Sequence, residues 1–309
     1  MTQLKALMIK DFQVNKKYFF LPMWLLLSLY VLVSLAFTIA KFKAGASFSI
    51  GGIPVQLLNN QAFVDFFSFA IQVGLFFGFL GIIFGIPIMG SCTFILNYDV
   101  KAKCELFHRS QPVSVWKLTA SRFLVTIGGL IVLSLFAGLL QLIFSNILLI
   151  MYTPMQVNLW LAFNGILLSW IHMSISILVI GSIGFLLSAI FKEGSFGKGA
   201  LALGALEIAV FVLNYFLDLG IPSPFKGLMR LMFSNINNFV SNFPNCNYAF
   251  NVSNNQAQSV YPASVPSQSE ILTTAWSTVF TWGVALKLAV CGALFTLATC
   301  IYHRREVQF

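Results

Sequence analysis

The chain has 309 residues, of which 58% are hydrophobic and only 9% charged, and its mean hydropathy is +0.87. A soluble protein of this composition would lack the polar surface to cover itself, so a water-exposed globule is excluded and a membrane supplies the missing solvent. The formal net charge of +9 does not indicate nucleic acid, because the basic residues stand at the ends of apolar runs instead of forming a phosphate-binding stripe.

Six apolar runs are expected to cross the bilayer as helices: Tyr18 to Ala40, Phe67 to Leu96, Phe123 to Ile150, Asn164 to Phe191, Gly199 to Leu217 and Ser277 to Ile301. Each is near or above the ~20 residues that a crossing needs. With the N-terminus in the cytoplasm, thirteen Lys and Arg residues fall on the inner side and four on the outer side (Lys41, Lys43, Lys226 and Arg230). That bias sets the orientation, and an even number of spans returns the C-terminus to the cytoplasm. The fold class is therefore an all-α polytopic membrane protein, one transmembrane domain over residues 1–309.

Residues 1–17 place Leu4, Leu7, Met8 and Phe12 at helical spacing beside Lys5, Lys10, Lys16 and Lys17, which predicts a helix in the inner interface. The first run is too long for a signal-peptide core and is read as retained. In the second run Gly78, Gly81 and Gly85 permit close helix contact, and Pro87 kinks or ends it. Residues 97–122 form the most charged passage, an inner loop with Leu106 and Phe107 open to the cytosol. It is either a short helix whose apolar face awaits a partner or a solvated turn that dips into the interface.

The turn Lys192-Glu-Gly-Ser-Phe-Gly-Lys198 has the wrong glycine spacing for a phosphate loop, has no Ser or Thr after the lysine, and follows no strand. The outer segment, residues 218–276, is the longest connection. Its first half sets Leu228, Met229, Met232, Ile236, Phe239, Val240 and Phe243 on one face, predicting an amphipathic or re-entrant helix with Asn235 mostly off that face. Its second half is rich in Asn, Ser, Gln and Pro, the composition of an extended cap or loop.

Two ionisable residues fall inside spans. Glu207 lies ~13 Å from the inner end of the fifth span and Lys287 ~15 Å from the outer end of the sixth, both near the midplane. An unpaired charge at that depth costs at least ~2.5 to 3.5 kcal/mol. The two residues are expected to pair with each other, or to face a substrate path, or to be snorkelled or neutralised. His172, in the fourth span beside Ser169, Ser174 and Ser176, reads as a hydrogen-bonded packing histidine in preference to a proton relay. The five cysteines show no disulfide or zinc spacing, and the chain has no HExxH, GxSxG or nucleotide-binding motif, so it is not expected to be an enzyme.

In the inner loop, Glu105-Leu106-Phe107, then Pro112-Val113-Ser114, then Arg122 resemble the passage between the second and third spans of ABC-2 type transporter permeases. Arg122 stands where that family usually has lysine, and Lys103-Cys104 replaces its Gly-Thr. The resemblance implies a permease half that dimerises with an identical or different second permease subunit and binds a separate cytosolic ATPase, which would carry ATP and Mg. It also implies an ATPase-coupling helix, with Glu105, Leu106, Phe107, His108, Arg109 and Pro112 as its contacts. The implied function is export of an amphiphilic substrate, and the implied location is the bacterial plasma membrane. The rival expectations are an ion-coupled secondary transporter working through Glu207, His172 and Lys287, and a non-transporting immunity or assembly factor on a similar scaffold.

Overall fold

The computed structural model describes residues 3–44, 61–81, 96, 114–152, 157–191, 195–218, 220–241 and 267–307. All regular structure among them is helical. The elements are α1 (Gln3–Ala44), α2 (Gln61–Leu75), α3 (Val115–Phe123), α4 (Gly129–Tyr152), α5 (Leu159–Ile190), α6 (Ser195–Leu217), α7 (Pro224–Ser241), α8 (Gln268–Ser277) and α9 (Trp282–Val307). Two π-helical turns join them: Phe76–Leu80 continues α2, and Leu124–Gly128 links α3 to α4.

Five stretches are long and apolar enough to cross a membrane: Phe19–Ala36, Val115–Leu149, Leu159–Ile190, Gly197–Leu217 and Gln268–Arg304. By helix length and composition the chain is a multi-pass integral membrane protein. Of the six expected runs, the second is described as a shorter apolar helix, Val64–Gly78, and residues 82–95 lie outside the described residues. The third begins earlier than expected, at Val115, where the Ser114 hydroxyl accepts from the Lys117 N–H and caps the helix. The last run is interrupted at residues 278–281, between α8 and α9, and does not form one helix from Ser277.

At the N-terminus a single helix of 42 residues contains both the expected interfacial stretch and the first span. Its early part is tied to the bundle: Asp11, 8% exposed, accepts a 2.7 Å hydrogen bond from the Ser121 hydroxyl of α3.

Helix α5 is the hub, packing against α2, α4, α6, α7, α8 and α9. Its sequence explains why, since Gly165, Ser169, Ser176, Ser182, Gly184, Ser188 and Ala189 are small and all buried. Small residues let neighbouring backbones approach where lipid offers no hydrophobic drive between helices. Ser169, Ser174, Ser176 and Ser182 turn their hydroxyls back onto their own helix, donating to the carbonyls of Gly165, Trp170, His172 and Leu178. These four hydroxyls thus enter α5 already paired. At the opposite extreme, α6 exposes Leu201, Ile208, Phe211, Tyr215 and Phe216, an apolar surface that requires hydrocarbon around it.

Of the three glycines expected to permit close approach, Gly85 lies outside the described residues, and the tight contact falls at another position. A Cβ on Gly78 or Gly81 meets nothing within 4 Å among the described residues, whereas on Gly138 it would lie 2.7 Å from the Phe76 ring and 3.0 Å from Ile166. Phe76 is fully buried and begins the first π-helical turn. Beside it, Gln141 donates 3.1 Å to the Gln72 carbonyl, and Ser145 meets the Gln72 side chain at 2.7 to 3.0 Å. A π turn shifts the hydrogen-bond ladder by one residue, and the Gln141 side chain supplies the donor at that point.

Gly138→Leu is expected to drive α4 away from α2 and α5 at a cost of about 1 to 3 kcal/mol. Gly204→Leu on α6, where nothing lies within 4 Å, is expected to be near neutral. Thermal unfolding of the two purified variants in the same detergent measures the difference.

Candidate functional site

The chain leaves α6 at Leu217 and folds back along it. Asp218 and Gly220 take left-handed backbone angles (φ 48° and 59°), the reversal that ends many helices. The Asn214 side chain then holds the descending strand at both groups of Ile221, accepting from its N–H and donating to its carbonyl, each at 2.8 Å. Two residues on, the strand reaches Glu207. The Ser223 hydroxyl donates to one Glu207 oxygen at 2.5 Å, and the Phe225 N–H donates to the other at 3.0 Å. Ser223 also accepts from the Lys226 N–H at 3.1 Å.

Helix α7 therefore starts beside Glu207, ten residues below the end of α6, or ~15 Å at the α-helical rise. The first N–H groups of a helix have no intrahelical partner, and hydrocarbon offers none. Glu207 and Ser223 supply acceptors there, and a carboxylate at a helix N-terminus also meets the positive end of the helix dipole.

Lys287 holds the same helix further along. Its ammonium donates 2.7 Å to the Ser234 hydroxyl and 2.8 Å to Asn235 Oδ1, and the residue is 5% exposed. The expected pairing of Glu207 with Lys287 is thus corrected: each grips α7, one at its start and the other near its middle. Because α9 begins at Trp282, Lys287 lies only ~7.5 Å along it, closer to the helix end than a span from Ser277 implied. Neither hydrogen-bond partner of Lys287 carries charge.

His172 completes the cluster from α5. Its Nε2 lies 3.0 Å from Thr278 Oγ1, and its ring packs on Phe239 of α7 at a centroid distance of 4.7 Å. Thr278 gives its one hydroxyl proton to the Ala275 carbonyl at 2.6 Å, so it accepts from His172, and Nε2 carries the hydrogen. Nδ1, buried, has no hydrogen-bond partner. The neighbouring serines on α5 serve their own carbonyls and not this ring.

Between α7 and the α8–α9 break is a cavity of about 190 Å³ lined by Asn235, Asn238, Ser241, Thr278 and Thr281. Asn235 is 7% exposed, and its Nδ2 has no hydrogen-bond partner. The buried stripe of α7 is Met232, Asn235 and Phe239, with Leu228 half-buried in line with them and Met229 turned outward at 41% exposure. Sorting asparagines onto the polar face hid Asn235, although its spacing from Met232 and Phe239 follows the helical period. No local pattern in the sequence marks Asp11.

The structure brings Lys287, His172 and α7 together, and Glu207 anchors the far end of that helix. Glu105, Leu106, Phe107, His108, Arg109 and Pro112 lie outside the described residues. Arg122, 4% exposed, reaches the Leu96 carbonyl at 3.4 Å. Among the described residues no group of three His, Cys, Asp or Glu side chains is placed to hold a metal ion.

Glu207→Leu is expected to uncap α7, lowering the unfolding temperature and raising amide hydrogen exchange over residues 225–228. Glu207→Gln, which keeps an acceptor but loses the charge, is expected to fall between Leu and the native residue. Equal exchange in all three proteins would mean that the cap does not hold the helix. No family model, curated protein or solved structure matches this chain, so its own geometry must carry the functional reading.

Proposed function

We propose that this chain is the membrane subunit of an ATP-binding-cassette exporter of the ABC-2 type. It pairs with a second permease subunit in a bacterial plasma membrane and takes its energy from a separate cytosolic ATPase that binds ATP and Mg. The observation that carries the reading is α7, a helix that follows the fifth apolar run, starts below the end of α6 and packs into the bundle against α5, α6 and α9. Helical material in that position is what the resemblance in the inner loop implies. A long N-terminal helix bound to the start of the third run, through Asp11 and Ser121, supports the same architecture.

In this reading, closure of the ATPase pair pushes on the inner loop that contains Phe107 and Arg109. The push passes through Arg122 and α3 to α1 and α4, while α5 stays as the packed centre. An amphiphilic cargo then moves between the two halves or sideways to lipid. Ion-coupled transport is the weaker reading, because Glu207 and Lys287 are both engaged in holding α7.

The test is affinity purification of the chain from its native membrane in mild detergent, with and without Phe107→Asp. The expected result is an ATP-photolabelled ABC subunit that copurifies with the native chain and is lost from the variant. Purification of the native chain without any such subunit would overturn the reading.

A further inference from the structure

The cavity between α7 and the α8–α9 break has the chemistry of an anion site. Lys287 is a buried cation whose two hydrogen-bond partners, Ser234 and Asn235, are neutral. Among the described carboxylates, Asp11 is committed to Ser121, Asp65 to Gln61 and Asn158, Glu207 to α7 and Glu270 to the Ser267 cap, while Asp218 is exposed at the end of α6. A cation in a membrane bundle without a counter-charge is expensive, and its stability calls for a negative group within reach.

The cavity offers that group a place. Asn235 lines the cavity and bonds Lys287: its Oδ1 accepts from the ammonium, and its Nδ2, itself buried, has no protein partner. Accepting a bond from a cation polarises the amide, and its N–H groups become stronger donors. Asn238, Ser241 and Thr281 add amide and hydroxyl groups to the same wall. The volume of about 190 Å³ far exceeds the ~10 to 15 Å³ that one water requires.

Position narrows the ligand further. Phe280 in the break and Trp282, the first residue of α9, are 83% and 91% exposed, as aromatic side chains at a membrane–water boundary are. A head group at that level can enter the cavity while its chain stays in the bilayer.

We propose that this cavity binds an oxyanion, a carboxylate or phosphate group, through Asn235 and the charge of Lys287. The site is independent of any ATPase partner, so the chain is tested by itself and the outcome does not bear on the export reading.

The experiment follows thermal unfolding of the purified chain in an uncharged detergent at constant ionic strength. One arm titrates inorganic phosphate and acetate; the other titrates dodecyl phosphate and laurate below their micelle-forming concentrations. A saturable rise in unfolding temperature is expected. A rise with the amphiphiles only identifies a lipid-like head group, and a rise in both arms identifies any oxyanion of this size.

Asn235→Asp supplies Lys287 with an internal carboxylate. It is expected to keep or raise the ligand-free unfolding temperature and to abolish the response. Lys287→Met is expected to weaken binding at least about 30-fold. Should Lys287→Met not fold, Asn235→Asp decides the matter. No saturable rise in the native chain, or an equal rise in Asn235→Asp, would overturn the proposal.

Discussion

The first N–H groups of a helix have no intrahelical partner, and this constraint governs α7, which starts beside an apolar helix. The structure meets it with one carboxylate on the preceding helix, one serine at the cap and one asparagine that fixes the descending strand. Glu207 would be costly in an isolated span and becomes favourable once α7 points its positive end at it. The charge and the start of α7 are mutually dependent, so neither is understood without the other.

The remainder of the bundle is arranged to receive α7. α5 carries small residues along its length and closes the centre, and His172 and Phe69 form the surface on which Phe239 seats. α9 brings Lys287 to the middle of α7. The elements with least protein contact, such as α6, are those whose side chains are apolar on every side, and hydrocarbon is their remaining neighbour.

The membrane class, the helical fold and most helix positions were legible in the sequence, because long apolar runs have few physical outcomes. Helix α7 was legible from its amphipathic spacing and from its place between two apolar runs. The partners of Glu207 and Lys287 were not. Two opposite charges at similar computed depth suggest a pair, but depth counted along a helix ignores the reversal at Asp218 and Gly220 and the break before Trp282. Both features move a polar backbone to the charge instead of moving one charge to the other. Asn235 is hidden in the sequence for a related reason: residue type is a guide to exposure, and a buried amide with a charged neighbour breaks that rule.

The double anchorage of α7 also has a temporal side. Its first anchor, Glu207, is synthesised before α7 itself, so the cap can form as soon as the helix emerges. Its second anchor, Lys287, is made more than fifty residues later, and Thr278, the partner of His172, only shortly before it. Until α9 inserts, Asn235 and the His172 ring face a half-built bundle with their polar atoms unmatched. Maturation of this region therefore waits on the final helix, which makes α9 the element that converts a loosely tethered segment into a fixed wall.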